Sequence, residues 1–152
     1  MNITYREMTR ADVAAVLDMM RTFYTSPAVA SDGSEEIYRA DIEACLDPNT
    51  PLSGYVFEQG GALAGYAMTA HSFSTEYGRP CIWIEDLYLE NELRGTGVAT
   101  RFFDYLKTQY PDAVHRLEVE KENKRAIKAY VKNDFQEIPY YEMIRFMDSG
   151  KR

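Results

Sequence analysis

The segment LRGTGVA, residues 93–99, sets an arginine and two glycines between an apolar run, CIWIEDLYL (81–89), and an amphipathic one, TRFFDYLKTQY (100–110). A strand that enters a helix through glycines turns sharply and brings bare backbone to the first helical turn. The N–H donors there lack partners and the helix dipole is positive. The junction therefore commits the chain to a strand–turn–helix unit whose turn is an anion site. Glycines let an anion approach without Cβ obstruction, and Arg94 adds a charge-assisted contact of the kind phosphate accepts.

Two common phosphate-binding patterns are excluded by the same residues. A P-loop needs Lys-Ser or Lys-Thr after its glycines, and none follows here. A dinucleotide fingerprint needs a third glycine after the first strand of a βαβ unit. Here Gly95-Thr96-Gly97 is followed by Val98, Ala99 and Thr100, after a later strand.

Hydrophobic periodicity places the other elements. Residues 2–7 read as a first strand. Thr9 to Asp12 cap a helix whose buried stripe is Val13, Val16, Leu17 and Met20, ending near Ser26-Pro27. Ser34, Glu35 and Glu36 open a second helix that turns Tyr38, Ile42, Cys45 and Leu46 inward and stops at Asp47-Pro48. Gln59-Gly60-Gly61 joins two strands as a hairpin. Residues 81–89 make a fourth strand apolar on both faces, and residues 98–109 a third helix carrying Val98, Phe102, Tyr105 and Leu106 on one side. VHRLEVE (114–120) reads as a fifth strand and ENKRAIKAYVKN (122–133) as a fourth helix, with FQEI and YYEMIRFM as two closing strands around Pro139. Strands mixed with flanking helices predict a three-layer α/β (α+β type) domain with a mixed sheet covered by helices. At 152 residues, without repeats or linkers, one domain over residues 1–152 is the economical division.

Composition narrows the function. Acidic side chains outnumber basic ones, 24 to 17, for a net charge of −7. That field opposes nucleic acid and anionic membranes and favours cationic ligands. Cys45 and Cys81 lack metal-ligand spacing and read as reduced core thiols; with only two histidines, His71 and His115, no metal site is expected. The N-terminus lacks a signal peptide's pattern and no stretch is long and apolar enough to span a membrane, so the expected location is cytoplasmic.

Arg94-Gly95-Thr96-Gly97-Val98-Ala99 resembles the R/Q-x-x-G-x-G/A signature of the GNAT-type N-acetyltransferases. Downstream, ENKRAIKAYVKNDF is similar to that family's N-x-x-A-x-x-x-Y-x-x-x-G-F segment, with Asn123, Ala126, Tyr130 and Phe135 in register. The resemblance extends over nearly the whole order of strands and helices. EDLYLE is weakly similar to the corresponding stretch of diamine and polyamine acetyltransferases. One departure is Asp134, where the family usually has glycine at a left-handed helix end; aspartate tolerates that backbone at a small stability cost.

The resemblance implies a mixed, mostly antiparallel sheet of GNAT fold whose fourth and fifth strands splay apart, with the pantetheine arm of acetyl-CoA in the gap. Leu87, Tyr88 and Leu89 would pair with the arm. Gly95, Thr96, Gly97, Val98 and Ala99 would hold the pyrophosphate with Arg94, and Asn123 and Ala126 would line the arm. It assigns Tyr130 as proton donor to the departing thiolate. The acceptor would be a primary amine on a small cationic molecule, attacking directly in a ternary complex. Glu85 is the first candidate for general base; strand alternation puts Asp86 on the opposite face, and since a bulge would exchange the two, Asp86 stays in reserve. Phe23, Tyr24, Glu85 and Tyr140 are candidate acceptor contacts, the aromatics through cation–π interaction. Family members are often dimers, which leaves a homodimer open, since nothing in the sequence identifies an interface. The competing reading is a catalytically silent acyl-CoA-binding sensor or partner-binding module of the same fold.

Overall fold

In the computed structural model, residues 2–31 and 33–147 are described. Five strands, β1 (Ile3–Glu7), β2 (Leu52–Gln59), β3 (Ala62–Ser74), β4 (Arg79–Leu89) and β5 (Val114–Leu117), form one sheet in sequence order. All neighbours are antiparallel except β4 and β5. Helices α1 (Val13–Tyr24) and α2 (Glu35–Leu46) lie between β1 and β2, α3 (Val98–Gln109) between β4 and β5, and α4 (Lys124–Lys132) after β5.

The expected caps and turns are in place. The Ser34 hydroxyl accepts from the Ile37 amide at 3.2 Å and opens α2. Gly60 and Gly61 take φ of 58° and 82°, which a tight hairpin requires and glycine alone adopts without strain. Asp134 is left-handed at φ 70°, while the Phe135 amide bonds back to Tyr130 O at 3.0 Å to close α4.

Helices on both faces bury the sheet. On one side Val16, Leu17 and Met20 of α1 and Ile42 of α2 pack with Val56, Tyr66, Met68 and Tyr88. On the other, Val98, Phe102, Phe103 and Leu106 of α3 pack with Tyr55, Phe57, Ala67 and Ile84. These are the periodic positions read from the sequence, with Phe103 added to the inner face of α3.

Two expectations are corrected. Strand β5 ends at Leu117, so Glu118 to Glu120 lie beyond the sheet. The two closing strands do not form: residues 135–147 have no regular structure, and the backbone of residues 136–145 makes no hydrogen bond among the described residues. Alternating apolar residues are a necessary condition for a strand, but a strand exists only when a neighbour takes its N–H and C=O groups. Among the described residues nothing does so for residues 136–145.

Candidate functional site

The site begins where β4 outruns its neighbour. Parallel pairing with β5 runs from Cys81↔Val114 to Ile84↔Leu117 and stops, while β4 continues to Leu89, held on its other side by Ala67↔Leu87, Tyr66↔Tyr88 and Gly65↔Leu89. The segment from Glu85 to Leu89 thus has an open edge facing the side where β5 would have continued. Leu87 and Leu89 are half-buried toward α3, and Tyr88 is buried toward α1.

At the end of that edge the chain turns through a short 3₁₀ turn, Asn91–Leu93, into the glycine segment. Gly95 and Gly97 both have positive φ, 78° and 86°, and Gly97 is the residue that caps α3. A side chain at either would be strained whatever space surrounds it. Thr96 is pinned by its amide (3.3 Å) and hydroxyl (2.5 Å) to Leu93 O. The amides of Gly95, Gly97, Val98, Ala99 and Thr100 have no acceptor among the described residues, so the turn presents a row of free donors.

Three arginines surround it in a chain of net charge −7. The Arg94 Nε donates to Leu89 O at 3.0 Å, and its guanidinium lies 5.8 Å from the centre of the Tyr88 ring. A Cβ built on Gly95 would lie 3.6 Å from an Arg125 guanidinium nitrogen, and one on Gly97 3.3 Å from an Arg101 nitrogen. Free amides, bare glycines and converging cations fit a diphosphate. Arg101 and Arg125 were not singled out in the sequence, although Arg101 lies one turn into α3 and Arg125 is the second residue of α4.

Asn123 stands just ahead of α4 rather than on its face. Its Oδ1 accepts from the Ala126 amide at 3.2 Å, which leaves its amide nitrogen as the group free to donate. Ala126 is half-buried. Tyr130 packs against Phe103 and Phe135, ring centres 6.2 and 5.9 Å away, and its hydroxyl has no hydrogen-bond partner among the described residues. Burial raises its pKa, so the phenol is protonated at neutral pH.

The other half of the site is acidic. The β3–β4 register passes from Met68↔Asp86 to Thr69↔Ile84, leaving Glu85 as the extra residue of a β-bulge. Asp86 is buried, accepting from Tyr24 Oη at 2.7 Å and Tyr66 Oη at 2.8 Å. Its pKa is raised by burial, against the lowering effect of the two hydroxyls. Glu85 is exposed, with no hydrogen bond or ion pair among the described residues, and its pKa is raised by desolvation, then by Asp86 and Glu142. Asp41 of α2 is pushed up to about 6 by burial and by the charges of Asp86 and Glu85. Glu118, just past β5, is raised to about 7, first by its hydrogen bond with Glu142, then by burial and by the charges of Glu142 and Glu85. Glu85 and Asp86 thus act on each other and on Asp41 across the bulge, with Asp86 buried and Glu85 exposed.

Among the proposed acceptor contacts, Tyr24 joins this cluster: it holds Asp86 and packs on Tyr38 at 5.3 Å. Phe23 is half-buried and packs edge-on to Tyr66 and Tyr88, a wall of the core behind the cluster. Tyr140 is exposed, and its hydroxyl bonds Glu76 in the β3–β4 turn at 2.6 Å rather than any residue of the cluster. Asp41, Tyr66, Glu118 and Glu142 escaped the sequence reading. Only Asp41 left a signal, as an acid beside the apolar stripe Tyr38, Ile42, Cys45.

The fold and the turn together set an open strand edge beside a row of free backbone donors, an arrangement that suits an extended, phosphate-bearing ligand. The sequence model of the acetyltransferase (GNAT) family matches residues 14–135. The chain belongs to that family and is an acetyl-CoA-dependent N-acetyltransferase. Among curated proteins it is similar to a thialysine N-epsilon-acetyltransferase of Bos taurus, 29% identical over 99% of this chain and 95% of that one. The Sus scrofa protein of the same name is 26% identical, over 99% and 96%. The fold matches the aminoglycoside N-acetyltransferase AAC(6')-Iy in complex with a CoA-linked bisubstrate analogue, at a TM-score of 0.77 and 15% identity over 96% of this chain and 99% of that one. It also matches a predicted acetyltransferase with acetyl-CoA from Clostridium acetobutylicum, at a TM-score of 0.73 and 18% identity over 95% and 96%. Among the described residues, no helix is long and apolar enough to cross a membrane.

Proposed function

We propose that the protein acetylates a primary amine of a small cationic molecule by direct attack within a ternary complex, with Glu85 as general base and Tyr130 as general acid. The observation that carries this reading is the group of carboxylates around the bulge, Asp41, Glu85, Asp86 and Glu118, beside the open end of β4. Each raises, or is raised by, the charge of a neighbour in the group. Such a set is relieved by taking in a positive charge. The relatives named for acetylating the Nε of thialysine point the same way, toward a small amine.

Bound acetyl-CoA supplies the acetyl thioester. The turn from Gly95 to Ala99, with Arg94, Arg101 and Arg125, holds its diphosphate; Leu87 to Leu89 and the Asn123 amide hold the arm, with Ala126 leaving room for it. A backbone amide on this edge of β4 is the donor that would polarise the thioester carbonyl. The acceptor arrives as an ammonium and attacks only when neutral. Glu85 is exposed, unpaired and raised in pKa, which suits it to take that proton. Asp86 is tied at both oxygens by Tyr24 and Tyr66, and its role is to hold those hydroxyls and bias the field. Tyr130 keeps its proton at neutral pH and gives it to the leaving thiolate. The partners of the chain are a small-molecule amine and a second copy of itself, and its net charge of −7 opposes nucleic acid and anionic membranes.

The first experiment is a thiol-release assay with acetyl-CoA against polyamines, thialysine and lysine, aminoglycosides and short peptides. Turnover with a small di- or polycation is the expected result. Turnover confined to neutral or acidic amines would sink the cationic-acceptor reading. CoA binding without turnover on any amine would favour the silent module.

A further inference from the structure

We propose that Lys121 and Lys124, in the loop and first turn leading into α4, hold the 3′-phosphate of coenzyme A, so that the enzyme selects CoA thioesters over those of dephospho-CoA. This rests on the reading that the turn from Gly95 to Ala99 holds the diphosphate. Residues 121–132 carry Lys121, Lys124, Arg125, Lys128 and Lys132 against one acid, Glu122, in a chain whose acids outnumber its cations 24 to 17. All five cations are exposed, and none makes an ion pair among the described residues. Lys124, Lys128 and Lys132 recur at every fourth residue, where like charges repel along a helix face. A helix that needed only solvation would be more stable with acids interspersed. This one keeps a local positive field in a chain of the opposite sign.

That field lies beside the glycine turn. A Cβ on Gly95 would lie 3.6 Å from an Arg125 guanidinium nitrogen, which sets the first turn of α4 against the diphosphate site. Lys124 immediately precedes Arg125, and its ammonium donates to Lys121 O at 2.9 Å, tying the loop to the helix and leaving further N–H donors. The diphosphate is already served by free amides and by Arg94, Arg101 and Arg125. Coenzyme A carries a second anionic group, the 3′-phosphate, one ribose away from the diphosphate. A phosphate monoester bears close to two negative charges at neutral pH, and ammonium groups bind it through charge-assisted hydrogen bonds. Lys121 and Lys124 are the cations nearest Arg125 in the chain that the diphosphate leaves unused. An acidic protein segment lying on α4 would engage Lys128 and Lys132 at least as strongly as Lys121 and Lys124, and the test separates the two.

The test is calorimetric titration of the full chain with CoA and with dephospho-CoA, which differ only in that phosphate. Three proteins are compared: the wild type, a Lys121→Gln, Lys124→Gln double variant, and a charge-matched Lys128→Gln, Lys132→Gln control. All four side chains are exposed, so each variant should keep the wild-type melting temperature. The wild type should bind CoA about 10- to 100-fold more tightly than dephospho-CoA at low salt, with the ratio shrinking as salt screens the contact. The first variant should bind both nucleotides alike, at the wild-type affinity for dephospho-CoA, while the control keeps most of the ratio. Equal and tight binding of the two by the wild type overturns the 3′-phosphate site and leaves the diphosphate reading standing. A ratio that survives in the first variant, or that the control loses equally, overturns it as well, since the effect then belongs elsewhere or to the general field of α4. Binding of neither nucleotide overturns both readings.

Discussion

The turn from Arg94 to Ala99 is built from backbone, whereas the acidic cluster across β4 is built from side chains gathered from far apart in the chain. The turn needs two left-handed glycines and a helix start, all within six residues. The cluster needs Tyr24 from α1, Asp41 from α2, Tyr66 from β3, Asp86 from β4 and Glu118 from beyond β5. Backbone recognition binds an invariant group, a diphosphate, by shape. Side-chain recognition is free to vary, and in the proposed function it is what selects the acceptor. If that division is right, damage to the turn removes the donor whatever the acceptor, while damage to the cluster changes acceptor chemistry and leaves donor affinity alone.

The largest effect should come from Gly97→Val. A β-branched residue at φ 86° is strained by at least about 1–2 kcal/mol, and its branches enter the space facing Arg101. Calorimetric CoA affinity should fall by about 100-fold or more with the fold retained by circular dichroism. Near-normal affinity would remove the turn from the donor site.

Glu85→Gln comes next and acts on the other half. Turnover should fall by roughly 10²–10⁴-fold, the usual range for a lost general base, with unchanged CoA affinity. The remaining activity should rise toward high pH, where more amine is already neutral. An unshifted pH profile would pass the role to another group. Tyr130→Phe should cost less, about 10- to 100-fold in turnover, again with CoA affinity intact, since only a hydroxyl is lost. Unchanged turnover would leave Tyr130 as packing against Phe103 and Phe135.

Sequence legibility follows the same divide. The turn, the strand before it and the helix after it were readable because glycine spacing and periodicity are local signals. Asp134 was readable because a helix end imposes a left-handed residue on whatever occupies it. The bulge at Glu85 was not, because it depends on the register between β3 and β4, and alternation alone put Glu85 and Asp86 on opposed faces. The convergence of Arg101 and Arg125 on the turn was hidden for the same reason, one lying on α3 and the other on α4. The closing strands were misread because YYEMIRFM has a strand's composition, while strand pairing depends on a partner that no local pattern encodes.

Asp41→Asn separates binding from stability within the cluster. Its pKa of about 6 lies above the ordinary value of 3.8, so the folded state prefers the protonated form. Its favourable contribution is full below the unfolded value and is lost as pH rises through 6. The asparagine variant should therefore melt higher than wild type at pH 8 and no higher at pH 3. Its KM for a cationic acceptor should rise by about 10-fold above pH 7, where the aspartate is charged, and match wild type below pH 5. A KM increase that is the same at both pH values would mean that shape, not charge, is what Asp41 contributes.

The smallest effect should come from Asp134→Gly, which touches neither half. Asp134 holds φ 70° at the end of α4, where its amide reaches Val131 O at 3.1 Å and the next amide returns to Tyr130 O. Glycine pays no Cβ penalty in that conformation, although it loses more freedom on folding, so the net gain is about 0.5–1 kcal/mol. Because α4 carries Tyr130, the same substitution asks whether the helix end positions the phenol or merely terminates the helix. A higher melting temperature with unchanged turnover makes it a terminator. A loss of turnover without loss of stability would show that aspartate's side chain, and not its backbone angle, is what the site requires there.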